Sequence, residues 1–218
     1  MSDYTQSMLT DMFNLMLDRF GPQDWWPGDG PFEMIIGAIL TQNTNWTNVE
    51  KALANLKREN LLSVGDINEI SAEKLAEYIR PAGYFNLKSK RLKNLVAMIA
   101  EEYDGDISLL FNENIDTQRM ALLSVKGIGP ETADSIILYA AKKPIFVIDT
   151  YTYRILNRHN MADEQVTYDE LQDLFMDNLE PDHELFNEFH ALLVRIGKDY
   201  CKKNPKCDNC PLNGWGSD

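Results

Sequence analysis

The stretch Leu123-Ser124-Val125-Lys126-Gly127-Ile128-Gly129-Pro130-Glu131-Thr132-Ala133, followed by Phe146-Val147-Ile148-Asp149-Thr150, decides how this chain reads. Two glycines flank one apolar residue between helix-forming segments, so the backbone can turn tightly and leave amide N–H groups for a ligand. Pro130 suits the first turn of the following helix, where its missing donor is not needed. Such a hairpin offers N–H groups and a helix N-terminus to an anion, and a phosphodiester is the obvious candidate. Eighteen positions after Glu131, Asp149 closes a short β-branched run ahead of the next helical pattern. An anion cradle followed by a fixed carboxylate is the equipment that chemistry on DNA requires.

Outward from this stretch the pattern is helical almost throughout. Tyr4–Phe20 is amphipathic and stops at Gly21, and Pro31–Leu40 is apolar enough to be buried. Thr47 with Glu50, and Thr167 with Glu170, have capping-box spacing ahead of Val49–Leu56 and Leu171–Leu179. Further helices are expected at Ala72–Ile79, Leu87–Tyr103, Thr117–Val125, Pro130–Ala141, Thr150–Asn157 and His183–Tyr200. Only Ile145–Ile148 reads as extended, too short to seed a sheet. The expected class is all-α.

The order of the hairpin, an Asp at this distance and a C-terminal cysteine cluster resembles the helix-hairpin-helix DNA glycosylase superfamily, in its endonuclease III branch. The similarity runs from Trp25 to Cys210. It implies two lobes with a cleft between them: a helical barrel over 31–143, and a second helical domain joining 1–30 to 144–218. It also implies that Asp149 is the carboxylate that stabilises positive charge on the sugar while an N-glycosidic bond breaks, and that orients or deprotonates the attacking water. Asp149 has a second reading as N-cap of the helix from Thr150, and one residue can do both. Gly127, Ile128 and Gly129 would bind phosphate through backbone amides. Bifunctional members carry a lysine where this chain has Glu131, and glutamate cannot form their Schiff base, so a monofunctional enzyme using water is expected. Lys126 precedes the hairpin glycines and is not assigned that role.

Tryptophans supply the lesion reading. Asp24-Trp25-Trp26-Pro27 and Leu40-Thr41-Gln42-Asn43-Thr44-Asn45-Trp46 resemble the 3-methyladenine glycosylases of the endonuclease III type, whose pocket is lined by aromatic side chains. Trp25, Trp26, Pro27 and Trp46 are then base-pocket residues; large aromatics of this kind also fill cores. N3-methyladenine is cationic in duplex DNA, and an aromatic face favours a cation by roughly 0.5–2 kcal/mol per contact. Gln42 and Asn43 occupy the loop that enters the space left by a flipped base. Ile79-Arg80-Pro81-Ala82-Gly83-Tyr84-Phe85-Asn86 matches the strand-contacting loop, with Gly83 and Tyr84 at its tip, or is an ordinary Pro/Gly turn. Rival readings are a bifunctional lyase on oxidised pyrimidines and a non-catalytic binder of damaged DNA.

A net charge of −13 over 218 residues opposes DNA binding. Charge distribution matters more than its sum, and Lys88, Lys90, Arg91 and Lys93 form a candidate basic patch on an acidic body, with Lys88 expected to contact DNA. A solvated helix face is the plainer reading of each. Hydrophobic content of 44% without a long apolar run fits a globular protein with no membrane span. Met1–Thr10 has no signal-peptide pattern, so the cytoplasm is the expected location, and the expected form is a monomer on double-stranded DNA carrying damaged bases.

Cys201-x5-Cys207-x2-Cys210 resembles the iron–sulfur loop of endonuclease III, which implies a [4Fe–4S] cluster. The first spacing is one residue short, and Gly216 stands where the fourth cysteine belongs. A cluster with an outside ligand, a three-iron cluster, a zinc site and no metal all remain open. A disulfide scaffold does not suit three cysteines in the cytoplasm. His190 reads as a core histidine.

Overall fold

The computed structural model of the chain describes residues 2–216. Twelve α-helices run through them: α1 (Ser2–Phe20), α2 (Pro31–Leu40), α3 (Trp46–Arg58), α4 (Val64–Glu69), α5 (Ala72–Tyr78), α6 (Phe85–Glu102), α7 (Ile107–Asn112), α8 (Ile115–Ser124), α9 (Pro130–Ser135), α10 (Thr150–Arg158), α11 (Tyr168–Met176) and α12 (His183–Asp199). A 3-10 turn, Arg80–Ala82, separates α5 from α6, a π-helical segment, Ile136–Ala140, prolongs α9, and a second 3-10 turn covers Cys207–Asn209. Among the described residues there is no β-strand, and the class is all-α.

Residue contacts gather into two units. One comprises the chain up to Trp26 together with everything from Lys143 onward, and the other is Pro27–Lys142. In the second unit α2 is the central element. Ile36, Ile39 and Leu40 are fully buried, and α2 lies against α3, α6, α9 and the π segment. Pro31 opens it at a position where no N–H is needed. The N-cap of α3 is Asn45, whose side chain accepts from the Asn48 N–H, so the expected capping box at Thr47 and Glu50 does not form. Asn caps as well as Thr, and an earlier start turns Val49, Ala52, Leu53 and Leu56 into one buried stripe. The box at Thr167 and Glu170 forms with both reciprocal bonds. The helices α4 and α7 carry no periodic signal, because six residues make fewer than two turns.

In the unit containing the termini, α10 packs on α12 and α12 on α1. Its core is an aromatic cluster. Phe146 stacks on Phe175 at 3.8 Å, and Phe186 and Phe189 meet Phe146 edge-on. Residues 145–148 are buried and belong to no helix or strand. Side chains of α11 take the place of a sheet: Gln172 donates to the Phe146 carbonyl at 2.6 Å, and the Ile148 N–H donates to the Tyr168 hydroxyl at 3.3 Å. This satisfies backbone polarity that a buried segment outside a helix must otherwise find in a ladder. The segment ends at Asp149.

Candidate active site and nucleic-acid-binding loops

Asp149 is the N-cap of α10. Its Oδ1 accepts from the Thr152 backbone N–H at 2.7 Å and from the Thr152 hydroxyl at 2.9 Å. Its Oδ2 faces the His190 Nε2 of α12 at 3.8 Å, outside hydrogen-bond distance. The carboxylate is thus held from one oxygen, and 11% of the side chain remains accessible. Burial pushes the His190 imidazole below its ordinary pKa, against the pull of Asp149. The core-histidine reading holds, and the imidazole forms one wall beside the acid. The cap function of Asp149 is realised through Oδ1, while Oδ2 lies beside the His190 imidazole.

In the hairpin, Gly127 has φ +103, and a Cβ there would lie 2.5 Å from the Arg91 Cγ. Only glycine meets both conditions. Gly129 differs: φ is −104 and a Cβ would meet nothing within 4 Å, so this glycine keeps an approach to the backbone open. Ile128 is buried and its N–H donates to the Val125 carbonyl at 3.0 Å, closing the turn. The amide expected to bind phosphate at Ile128 is therefore committed internally, and the expectation for that residue is corrected. Glu131 is exposed in the first turn of α9. The two helices of the hairpin are clamped by Arg119 of α8, which donates from Nε and Nη2 to both oxygens of the fully buried Asp134 of α9 at 2.8 and 3.3 Å. No local sequence signal pairs these two residues, which are fifteen positions apart.

Gln42 lies just beyond α2 with its side chain turned back onto the hairpin. It donates to the Thr132 hydroxyl at 2.9 Å and to the Gly127 carbonyl at 3.3 Å, and accepts from Arg91 Nη1. Asn43 has φ +53 and is exposed. In the turn before α6, Gly83 has φ +67 and Tyr84 φ +45. Tyr84 is 68% exposed, an unusual position for a large aromatic and a suitable one for a side chain that meets nucleobases.

Lys88 is not on the surface. It is 1% exposed, and its Nζ donates to the carbonyls of Leu40 and Ala82, both at 2.8 Å. Burial, with the neighbouring Arg91 charge adding to it, lowers its pKa to about 8. The direct DNA contact expected of Lys88 is therefore corrected, since its donors face backbone carbonyls. Lys93 caps the end of α4, donating to the carbonyls of Ile67, Asn68 and Ile70 at 2.6–3.0 Å. Of the four cations read as a patch, Lys90 alone is fully on the surface. Sequence reasoning missed the structural work of Arg91 and Asn94. The recurrence of long polar side chains at 88, 91 and 94 among apolar Leu92 and Leu95 was the available signal.

Trp25 and Trp26 belong to the unit with the termini, where their rings meet edge-on with centroids 5.7 Å apart and Lys198 Nζ lies 5.3 Å from the Trp25 ring centre. Pro27 and Trp46 belong to the other unit and line a cavity of about 240 Å³ with Asp29, Glu33, Glu50 and Lys57. Lys57 pairs with Asp29 at 2.6 Å and Glu33 at 2.9 Å, so the carboxylates around this cavity outnumber its one ammonium. All three indoles are half-buried, intermediate between core and surface.

The cysteine loop does not present a four-thiolate site. Cys201 Sγ is buried and accepts from Arg158 Nη1 at 3.2 Å, while Cys207 is exposed. Burial pushes the Cys210 thiol up. Gly216, at the fourth position, has φ +73 and no side chain to offer. Among the described residues no group of three or more His, Cys, Asp or Glu is placed to hold a metal ion. Nor is any helix of the described residues long and apolar enough to cross a membrane.

Comparison with known proteins places the all-helical fold. Residues 36–181 match the family described as HhH-GPD superfamily base excision DNA repair proteins, and the chain belongs to that family. It is 46% identical, over 94% of both chains, to a protein of Methanocaldococcus jannaschii whose name assigns it provisionally to the DNA repair glycosylases. A 3-methyladenine DNA glycosylase of H. pylori, bound to 1,N6-ethenoadenine, superposes with a TM-score of 0.76 at 32% identity, covering 89% of this chain and 97% of that one. An endonuclease III trapped as a covalent intermediate with DNA shares the fold, with a TM-score of 0.81 at 22% identity over 96% and 94% of the two chains. The protein is a DNA repair glycosylase.

Proposed function

We propose that this protein is a monofunctional glycosylase that binds damaged duplex DNA and hydrolyses the N-glycosidic bond of alkylated purines, N3-methyladenine foremost. The observation that carries the reading is the pair of acids at the two key positions. The first helical turn after the hairpin offers Glu131 and no amine, while Asp149 is fixed through Oδ1, with Oδ2 outside hydrogen-bond distance of His190. Water then supplies the nucleophile. Its oxygen bonds to C1′ as the C1′–N bond breaks, and the bonding pair leaves with the base. A cationic alkylated purine departs neutral, so no strong general acid is needed. Asp149 stabilises the positive charge developing on the sugar and takes or directs the proton released by water.

The lesion class rests on the surroundings of Trp46 and on Trp25 and Trp26. An indole face beside an excess of carboxylates favours a positively charged base over a neutral one. The similar H. pylori enzyme, named for 3-methyladenine, supports the same choice.

Asp149→Asn is a clean test, because Asn caps a helix as well as Asp does and the fold should be retained. Base release from a methylated duplex should fall by about two orders of magnitude or more. Borohydride should trap no covalent adduct with DNA. Efficient trapping by the wild-type chain would identify an amine nucleophile and overturn the monofunctional reading. Release of oxidised pyrimidines in preference to methylated purines would overturn the lesion class.

A further inference from the structure

The face of α6 that carries Lys88, Arg91 and Asn94 has a role that the hairpin and Asp149 do not supply. These residues stand three apart and share one side of the helix. Lys88 bonds the carbonyl of Leu40, the last residue of α2, and the carbonyl of Ala82, in the turn that presents Gly83 and Tyr84. Arg91 bonds the Gln42 side chain and lies against Gly127. Asn94 donates from Nδ2 to the Lys126 carbonyl at 2.9 Å. One stripe therefore grips, in order, the turn at 80–83, the loop at 41–45 and the hairpin at 126–129.

We propose that this stripe is a positioning device. It fixes the loop that enters the duplex and the loop that carries Tyr84 at a set distance from the phosphate-binding hairpin, with Lys88 as its central residue. A methionine or leucine would fill the same volume without the cost of desolvating an ammonium. The side chain present instead directs its donors at two carbonyls, each belonging to a different loop. It caps the end of α2 at the point where the chain leaves the helix for Gln42 and Asn43, and so fixes where that loop begins. Base flipping needs the loops to hold a distorted duplex in register, and a small misplacement there lowers the flipped fraction without lowering contact with the backbone.

The proposal rests on the reading that this chain flips a nucleotide, and its test separates the two. The probe is a duplex carrying 2-aminopurine beside a tetrahydrofuran abasic analogue, whose fluorescence reports unstacking without any bond being broken. Lys88→Met, studied well below its measured melting temperature, should bind this duplex within about threefold of wild type while losing most of the fluorescence rise. Single-turnover release from a paired lesion should fall by about tenfold, and release of the same lesion from an unpaired bulge, where flipping costs little, by less than about threefold. A purely structural lysine would lower the melting temperature and leave this contrast absent. Wild-type fluorescence in Lys88→Met, or equal rate losses on paired and bulged lesions, overturns the proposal. Should Lys88→Met not fold, Arg91→Met must show the same split, and an Arg91→Met protein that flips normally overturns it equally. A wild-type chain that releases no base would refute the glycosylase activity while the fluorescence comparison still decides the role of the stripe.

Discussion

Lys88 combines 1% exposure with a pKa brought from 10.5 to about 8, and the sign of its effect on stability follows. Below pH 8 the side chain is protonated both folded and unfolded, and the burial penalty is fully present. Between about 8 and 10.5 the unfolded chain still binds a proton that the folded chain has released, so folding gains as pH rises. The neutral amine keeps two N–H donors, enough for both carbonyls. The stability of wild type relative to Lys88→Met should therefore increase between about pH 7 and pH 10, by on the order of 2 kcal/mol. Denaturant unfolding of both proteins across that range measures it. A difference independent of pH would mean that the amine is solvated in the folded state. Asp149 shows a different arrangement, an acid whose hydrogen bonds come from its own helix through one oxygen while the other lies beside His190.

At the scale of the element, the two hairpin glycines are expected to separate stability from binding. Gly127→Ala forces a Cβ into the Arg91 side chain at a left-handed φ, and should cost about 1–3 kcal/mol of stability. Gly129→Ala meets open space on extended backbone, so thermal unfolding should shift little, by about 0.5 kcal/mol or less, while affinity for duplex DNA drops. Unchanged duplex affinity in Gly129→Ala would show that the opening at Gly129 has no binding role. The hairpin, its proline and the aspartate after it were legible in sequence because turn chemistry and capping are local. Most of the helices were legible for the same reason, as was the capping box at Thr167. What escaped was long-range. The partner of Asp134, the carbonyl targets of Lys88 and Lys93, and the satisfaction of residues 145–148 by α11 each depend on elements brought together by folding. Sequence showed four neighbouring cations and could not show that three of them, Lys88, Arg91 and Lys93, point at backbone carbonyls and a glutamine.

For the molecule as a whole, charge and its use are in tension. The chain carries −13, yet it belongs to a family of DNA repair proteins. The basic patch that would have resolved this is largely internal, since Lys88, Arg91 and Lys93 hold protein groups. Along the hairpin and its neighbouring loops, the exposed cations among the described residues are Arg80, Lys90 and Lys126. Affinity must then come less from counterion release than from base contacts, backbone amides and the unstacked lesion itself. Three phosphate contacts correspond to a slope of about −2.7 in a plot of log K against log salt, so binding to undamaged duplex should weaken roughly 40-fold between about 50 and 200 mM salt, where a strongly basic protein loses about 1,000-fold or more. Lys90→Gln should make that slope shallower by about one unit. Fluorescence anisotropy at four or more salt concentrations measures both. A wild-type slope of about −6 or steeper would mean that cations away from these loops carry the duplex, and the path of the DNA over the protein would have to be redrawn to reach them.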